Sequence, residues 1–201
     1  MSSTPALRYE ATYDDLRALP PHLIGEILGG DLIVSPRPAA PHARAKSVLG
    51  SDVVGPFDRG RGGPGGWWIL DEPELHLGRH VVVPDIAGWR RERMPVFPSA
   101  PFFTLAPDWI CEVVSPGSQR IDRVRKLPIY LEHEVAWAWL VDPIARTLEI
   151  FQRTADRWTL VAAHGGNEVV RAAPFDAIEI ELEGWWVPGG HDPADDASPS
   201  G

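Results

Sequence analysis

The chain has 201 residues, 44% of them hydrophobic and 23% charged, which suits one domain with a real core. Its formal net charge of −9 disfavours tight, non-specific binding of nucleic acid through a broadly basic surface. No apolar run approaches the ~18 residues of a membrane span, "MSSTPALRYEATYDD" lacks a signal pattern, and the single cysteine, Cys111, excludes an internal disulfide, so a cytoplasmic protein is expected.

Thr12 followed by Asp14, Asp15 and Leu16 predicts a short N-capped helix, ended by Pro20 and Pro21. In "HLIGEILGGDLIVSP" two apolar runs flank Gly29-Gly30-Asp31, a β-hairpin pattern. Residues 41–54 read as a helix with Ala43, Val48 and Val53 among its inward positions. "GPFDRGRGGPGG" reads as a mobile glycine-rich loop. It lacks the flanking strand, Lys and Ser/Thr of a phosphate cradle, so that function is rejected.

From residue 67 the pattern turns to strands. "WWILDEPELHL" and "HVVVPDIAGW" flank a hairpin at Gly78-Arg79, and "DWICEVVSP" is a third strand closed by Ser115-Pro116-Gly117. Residues 118–131 read as a helix. "AWAWLVDP", "TLEIFQR" and "RWTLVAA" follow as strands, and "AIEIELEGWW" alternates as a half-exposed one. The expectation is an α/β fold: one domain over residues 1–189, with a mixed central β-sheet flanked by helices, an N-terminal hairpin and extra C-terminal strands. Residues 190–201, acidic and rich in Pro, Gly and Ser, are expected to be a disordered tail.

Two acids sit where apolar residues are expected. Side chains alternate across a strand, so Glu112 shares a face with Ile110 and Val114, opposite Trp109, Cys111 and Val113. Asp85 follows Pro84 in line with Val81, Val83 and Ala87, and the proline implies an edge or a distortion there. A buried carboxylate needs a cation, a donor or a metal. On the predicted helix, Ser118, Asp122, Lys126 and Tyr130 recur every four residues along one stripe, and Pro128 interrupts the hydrogen bonding. An Asp–Lys pair at this spacing is ordinarily a surface ion pair. The whole set, two acids converging with a lysine just beyond, instead makes a hard-oxygen site for Mg²⁺ with an ammonium beside it. The basic stretches "WRRERM" (89–94) and "QRIDRVRK" (119–126) form either a local patch or solvated faces. Cys111, among apolar neighbours, reads as packing.

The residues "GEILGGDLIVSP" (25–36), His42, "VPDIAGW" (83–89), "WICEVVSPGSQRIDRVRKLPIY" (109–130) and "WLVDP" (139–143) resemble the Uma2 family of restriction endonucleases, a branch of the PD-(D/E)XK nuclease superfamily. The resemblance spans roughly residues 8–187. It implies a restriction-endonuclease-like core and Mg²⁺-dependent hydrolysis of DNA phosphodiesters, with Mn²⁺ able to substitute. Asp85 and Glu112 match the family's metal-binding acids. The superfamily's usual lysine position is Val114 here, and the resemblance places the lysine at Lys126 instead. Glu26 matches a further acid, and a main-chain carbonyl near Val113 is another candidate ligand. His42 matches a family histidine for which capping or packing serves as well as catalysis. Asp122 is expected to hold Lys126, Tyr130 to pack or contact phosphate, and Arg120, Arg123 and Arg125 to contact phosphates without reading sequence. Family members commonly have Gly where this chain has Glu134. A homodimer is expected, since cutting both strands takes two sites.

Two other readings stay open. One is a catalytically silent nuclease-like interaction module, favoured by the charge and by nine tryptophans, with "GGWWIL" and "GWWVP" as exposed interface candidates. The other is a metal-free hydrolase using Asp85 and Glu112 as a carboxylate pair, which leaves Lys126 without a role.

Overall fold

In the computed structural model residues 10–36 and 39–188 are described. The expected tail at 190–201 lies outside them. The first helix, α1 (Tyr13–Arg17), starts behind Thr12, whose N–H and hydroxyl donate to Asp15 Oδ2 at 2.7 and 2.8 Å. That contact satisfies a donor which a helix start leaves open. Strands β1 (Leu23–Leu28) and β2 (Asp31–Pro36) pair antiparallel around Gly29 and Gly30. Both glycines have positive φ, 64° and 89°, as the tightest hairpin turn demands.

Helix α2 (Ala40–Val53) buries Ala45, Leu49 and Val53, one turn apart each time. Ala43, expected to face inward, lies off this stripe and is exposed. A π-helical turn, Val54–Asp58, extends α2. The glycine-rich segment after it is anchored rather than loose at its start: Asp58 accepts the Ile69 N–H at 3.0 Å and pairs with Arg91 at 2.9 Å.

The two long strand patterns each split. Strand β3 (Trp67–Asp71) pairs with β6 (Ile86–Arg90), while β4 (Leu75–Leu77) pairs with β5 (His80–Val82) in another sheet. The chain thus changes sheets at residues 72–74 and again at 83–85. Glu72 bends the first crossing at φ 44°. Pro84, with no N–H to give a ladder, interrupts the second. Asp85 is therefore not in line with Val81 and Val83 on one strand, as the alternation had implied; it occupies the bend that enters β6.

The large sheet adds β7 (Trp109–Val113), β8 (Trp137–Asp142), β9 (Thr147–Thr154) and β10 (Arg157–Gly165), in the order β10-β9-β8-β7-β6-β3. Only the β7–β8 pair is parallel. Every residue of β7 is buried, as befits a central strand covered on both faces. Beneath it, Trp109, Cys111 and Val113 join α2, Trp139, Phe175 and Trp185 in one core. Above it, Ile110 and Val114 join Leu28, Leu75 and Tyr130 in the other, between the large sheet and the small sheet β2-β1-β5-β4.

The helix expected at 118–131 is broken in kind but not in direction: α3 (Gln119–Ile121), a π turn (Asp122–Lys126), then α4 (Leu127–Glu132). The Leu127 N–H reaches back five residues to the Asp122 carbonyl. The wider turn falls where the Pro128 ring would otherwise meet the carbonyl of residue 124. Glu134 leaves the helix at φ 61°, the left-handed exit that glycine favours.

At the C-terminal end, strand β11 (Val169–Val170) pairs with β12 (Ile180–Glu181), and a 3₁₀ turn, Leu182–Trp185, follows. The long half-exposed strand expected over 177–186 is thus two residues long. The indole N–H groups of Trp185 and Trp186 reach Asp52 Oδ2 at 2.8 Å and the Gly166 carbonyl at 2.7 Å, which curls the segment inward. Trp67, Trp185 and Trp186 are buried, so "GGWWIL" and "GWWVP" supply core and not an exposed aromatic surface.

Candidate active site: an acid cluster around one lysine

The site forms where the two sheets and α3–α4 meet. From β1 comes Glu26, whose Oε1 accepts the Val83 N–H at 2.8 Å. Pro84 has ended the ladder there, so this donor is available to a side chain. From β7 comes Glu112, and from the bend before β6 comes Asp85. These two are cross-tied: Val113 N–H donates to Asp85 Oδ2 at 2.8 Å, and Asp85 N–H points at Glu112 Oε2 at 3.4 Å. Each acid keeps an oxygen without a strong protein donor among the described residues.

Lys126 enters from the π turn. Its Nζ lies 2.8 Å from Glu112 Oε1, 3.1 Å from Glu26 Oε1, 4.0 Å from Asp122 Oδ1, and donates to the Val83 carbonyl at 2.9 Å. One ammonium thus ties the small sheet to the large one. Tyr130, one turn further on, donates from its hydroxyl to Glu112 Oε1 at 2.6 Å. It is fully buried and meets the acid rather than the cavity. His42, in the first turn of α2, places Nε2 3.2 Å from Asp85 Oδ2. Its Nδ1 is buried with no hydrogen-bond partner in the described structure.

Glu26, His42, Asp85, Glu112, Asp122 and Lys126 all line one cavity of about 470 Å³. Four carboxylates therefore share one lysine and one histidine. Burial pushes the Glu112 carboxyl well above its usual range, against the pull of Lys126. Burial likewise raises Asp122, to about 6, again opposed by Lys126. For Lys126, burial works against the charge, but Glu112, Glu26 and Asp122 outweigh it and hold the ammonium protonated above its ordinary range. Burial first, then Glu112, pushes the Tyr130 hydroxyl far up, so it remains a donor.

The arginines of the helix do not join the cluster. Arg123 pairs with Glu149, and Arg125 with Asp31 at 3.0 Å and the Leu28 carbonyl at 2.7 Å. Arg120 has no ion pair among the described residues. The other basic stretch is also engaged: Arg90 and Arg91 lie over Trp67 and Trp68, and Arg93 pairs with Asp108. The sequence reading did not foresee the Val83 carbonyl as a partner of Lys126; its one signal was Pro84, which frees that backbone.

A second cluster, His80, Glu132 and His133, brings one ligand atom from each within 4.8 Å of the others. Gly29 N–H donates to His80 Nδ1 at 2.9 Å. Burial lowers the His80 pKa, so the ring is neutral and its hydrogen is on Nε2. A metal-bound histidine needs the reverse, a bare ligating nitrogen and a second nitrogen that donates.

No curated protein matches the chain. Among solved structures it is similar to "a putative nuclease belonging to DUF820" from Anabaena variabilis, with a TM-score of 0.69 and 22% identity over 88% of this chain and 97% of that one. That likeness shows the fold. A family model described as "Putative restriction endonuclease" matches residues 11–183, and with most of its length matched the chain belongs to the Uma2 family.

Proposed function

We propose that the chain is a Mg²⁺-dependent endonuclease that hydrolyses DNA phosphodiester bonds, with Asp85, Glu112 and Lys126 at the reacting atoms. One observation supports it above the others: two cross-tied carboxylates and a buried ammonium line the same cavity. The donor set fits the ion. The oxygens are hard, the carboxylates outnumber the cations, and Asp85 and Glu112 would hold Mg²⁺ with Glu26 as a further oxygen. When bound, such an ion lowers the pKa of water and offsets charge on a phosphoryl oxygen, and Mn²⁺ does the same.

The chain's own groups do the rest. Lys126, held protonated, acts through its charge: its three N–H groups are on Glu112, Glu26 and the Val83 carbonyl, so it steadies negative charge at phosphorus, turns to the attacking water only by releasing one of them, and does not take a proton. Val113 N–H and His42 fix the rotamer of Asp85. Tyr130 fixes Glu112, and Asp122 stands behind Lys126. Arg120 is the remaining candidate for a phosphate contact.

The silent-module reading keeps one observation in its favour, since a lysine bound to Glu112, Glu26 and a carbonyl at once is also what a purely structural ion cluster shows. Calorimetry with Mn²⁺ and incubation with supercoiled plasmid separate the two. The proposal expects ion binding and nicking, with cleavage reduced on the order of 10³-fold in Asp85→Asn and in Lys126→Ala, the scale of removing an electrostatic catalytic group. Wild-type protein that binds no ion and leaves the plasmid intact would overturn it.

A further inference from the structure

Resting on that nuclease reading, we infer that the cleft takes an unpaired nucleotide of a DNA strand, drawn out of any base stack, in preference to an intact duplex. Shape and charge each point this way.

The cavity's volume of about 470 Å³ falls inside the ~300–1,000 Å³ typical of sites that enclose a small ligand. Its floor is the acid cluster, but its walls are partly apolar: Ile24 and Ile121 both line it and both are half-buried. Ile24 and Glu26 share a face of β1, so the apolar wall and the acidic floor are one continuous surface. A duplex offers its charged backbone outward and would set phosphates against these isoleucines. A splayed nucleotide sets its base there and its phosphate over the acids Asp85 and Glu112, which would hold a divalent ion able to offset the like charges. Extruded bases are held between apolar side chains in this way.

Charge argues in the same direction. Duplex DNA carries about one negative charge per 1.7 Å, and proteins that grip it neutralise several phosphates. Near this cleft Lys46 is engaged by Asp71 and Glu72, Arg123 by Glu149, and Arg125 by Asp31. The lining itself holds Glu26, Glu72, Asp85, Glu112 and Asp122 against Lys126 and His42. Of the helix arginines only Arg120 is left without an ion pair among the described residues, which suits one phosphate and is little to track a double backbone. An unpaired strand also needs only one site, so this substrate does not require the expected dimer.

The experiment measures binding by fluorescence anisotropy, in Ca²⁺ to hold off hydrolysis, of a short single strand, the matching duplex, and that duplex with one bulged nucleotide, and in parallel the cleavage of all three in Mg²⁺ by wild type and Asp85→Asn. The single strand and the bulged duplex should bind at least about tenfold tighter than the intact duplex, the scale of one base seated on a protein surface. The logarithm of affinity should fall against that of salt with a slope of about −1 to −2, as for one or two phosphates. Ile24→Ser and Ile121→Ser should each weaken single-strand binding about fivefold or more while leaving calorimetric Ca²⁺ affinity unchanged. Tighter binding of the intact duplex, with a slope steeper than about −4, overturns this inference alone if Asp85-dependent cleavage persists. Failure to bind ions or cleave any of the three overturns the nuclease reading and this inference together.

Discussion

On one face of β7, Trp109, Cys111 and Val113 lie in an apolar layer with Trp139 and Phe175, where the Trp109 ring meets those of Trp139 and Phe175 edge-on at 5.2 and 4.8 Å. On the other face, Glu112 stands between Ile110 and Val114 and binds a lysine, a tyrosine and its neighbour's backbone. One short run of backbone, residues 109–114, serves both. The aromatic face gains from apolar burial and ring packing, which add together, at the cost of a Trp109 indole N–H left buried without a partner in the described structure. The acid face holds more negative charge than its cations balance, and burial makes that imbalance costly. An apolar face and a charged one are thus divided by nothing more than the alternation of a strand.

The sharpest way to break this contrast is to empty the aromatic face. Trp139 is fully buried, and its indole N–H donates to the Ala173 carbonyl at 2.7 Å. Trp139→Ala should cost about 3–5 kcal/mol. In thermal denaturation the melting temperature should fall by roughly 6–20 °C, while Mn²⁺ affinity of the remaining folded protein stays close to wild type. Ion affinity that collapsed along with stability in folded protein would show that the two faces are not separable.

Tyr130→Phe probes the acid face at its rim. The hydroxyl it removes is one of two donors to Glu112 Oε1, the other being Lys126. A hydrogen bond to a charged group contributes about 1.5–3 kcal/mol, and loss of a group that orients a metal ligand lowers metal affinity about 10–100-fold. Calorimetry and melting should both register the change. An unaltered Mn²⁺ affinity would mean that Glu112 holds its position without the tyrosine.

How far the sequence discloses this arrangement depends on which kind of information each feature needs. Glu112 is legible because alternation is local: its neighbours on each side assign its face. Asp85 is legible as an acid placed by a proline, but the sheet change at residues 83–85 is not, since Val81, Val83 and Asp85 keep the same period on both sides of the break. Lys126 is the hardest case. Pro128 announces a disturbed helix, yet only the π turn decides that the ammonium points into the cluster. Trp185 and Trp186 mislead for a related reason. Composition marks tryptophans as interface residues, whereas distant acceptors, Asp52 and the Gly166 carbonyl, draw these two into the core.

A weaker lever on the acid face is pH. Burial raises the Asp122 carboxyl to about 6, above its value in the unfolded chain. The folded protein therefore holds that proton more tightly, so the associated stability is present below the unfolded pKa and is lost as pH rises through about 6. Burial displaces Glu112 in the same direction. Without divalent ions, lowering pH from about 7.5 to about 5 should stabilise the protein by about 1 kcal/mol, the opposite of ordinary acid denaturation. Asp122→Asn should flatten the profile. Melting temperatures that drop steadily over that interval in wild-type protein would show the cluster to be balanced already.

The smallest expected effect lies at the exit of α4, on the acid-bearing side of β7. Glu134 sits at φ 61°, its N–H bonded to the Leu131 carbonyl at 3.1 Å, and the next N–H, that of Val135, bonded to the Tyr130 carbonyl at 3.0 Å. A left-handed backbone costs a side-chain-bearing residue about 1–2 kcal/mol, which glycine escapes at the expense of greater freedom in the unfolded chain. The Glu134 carboxylate recovers little, since its partner Arg153 is 3.6 Å away and Glu134 is exposed. Glu134→Gly should then stabilise the protein by up to about 1 kcal/mol. This substitution also tests where Lys126 gets its aim. If the π turn and Pro128 alone set the direction of the helix, relaxing its exit should leave Mn²⁺ affinity untouched. A change in affinity accompanying the gain in stability would instead show that the strained exit holds α4, and with it Tyr130, against Glu112.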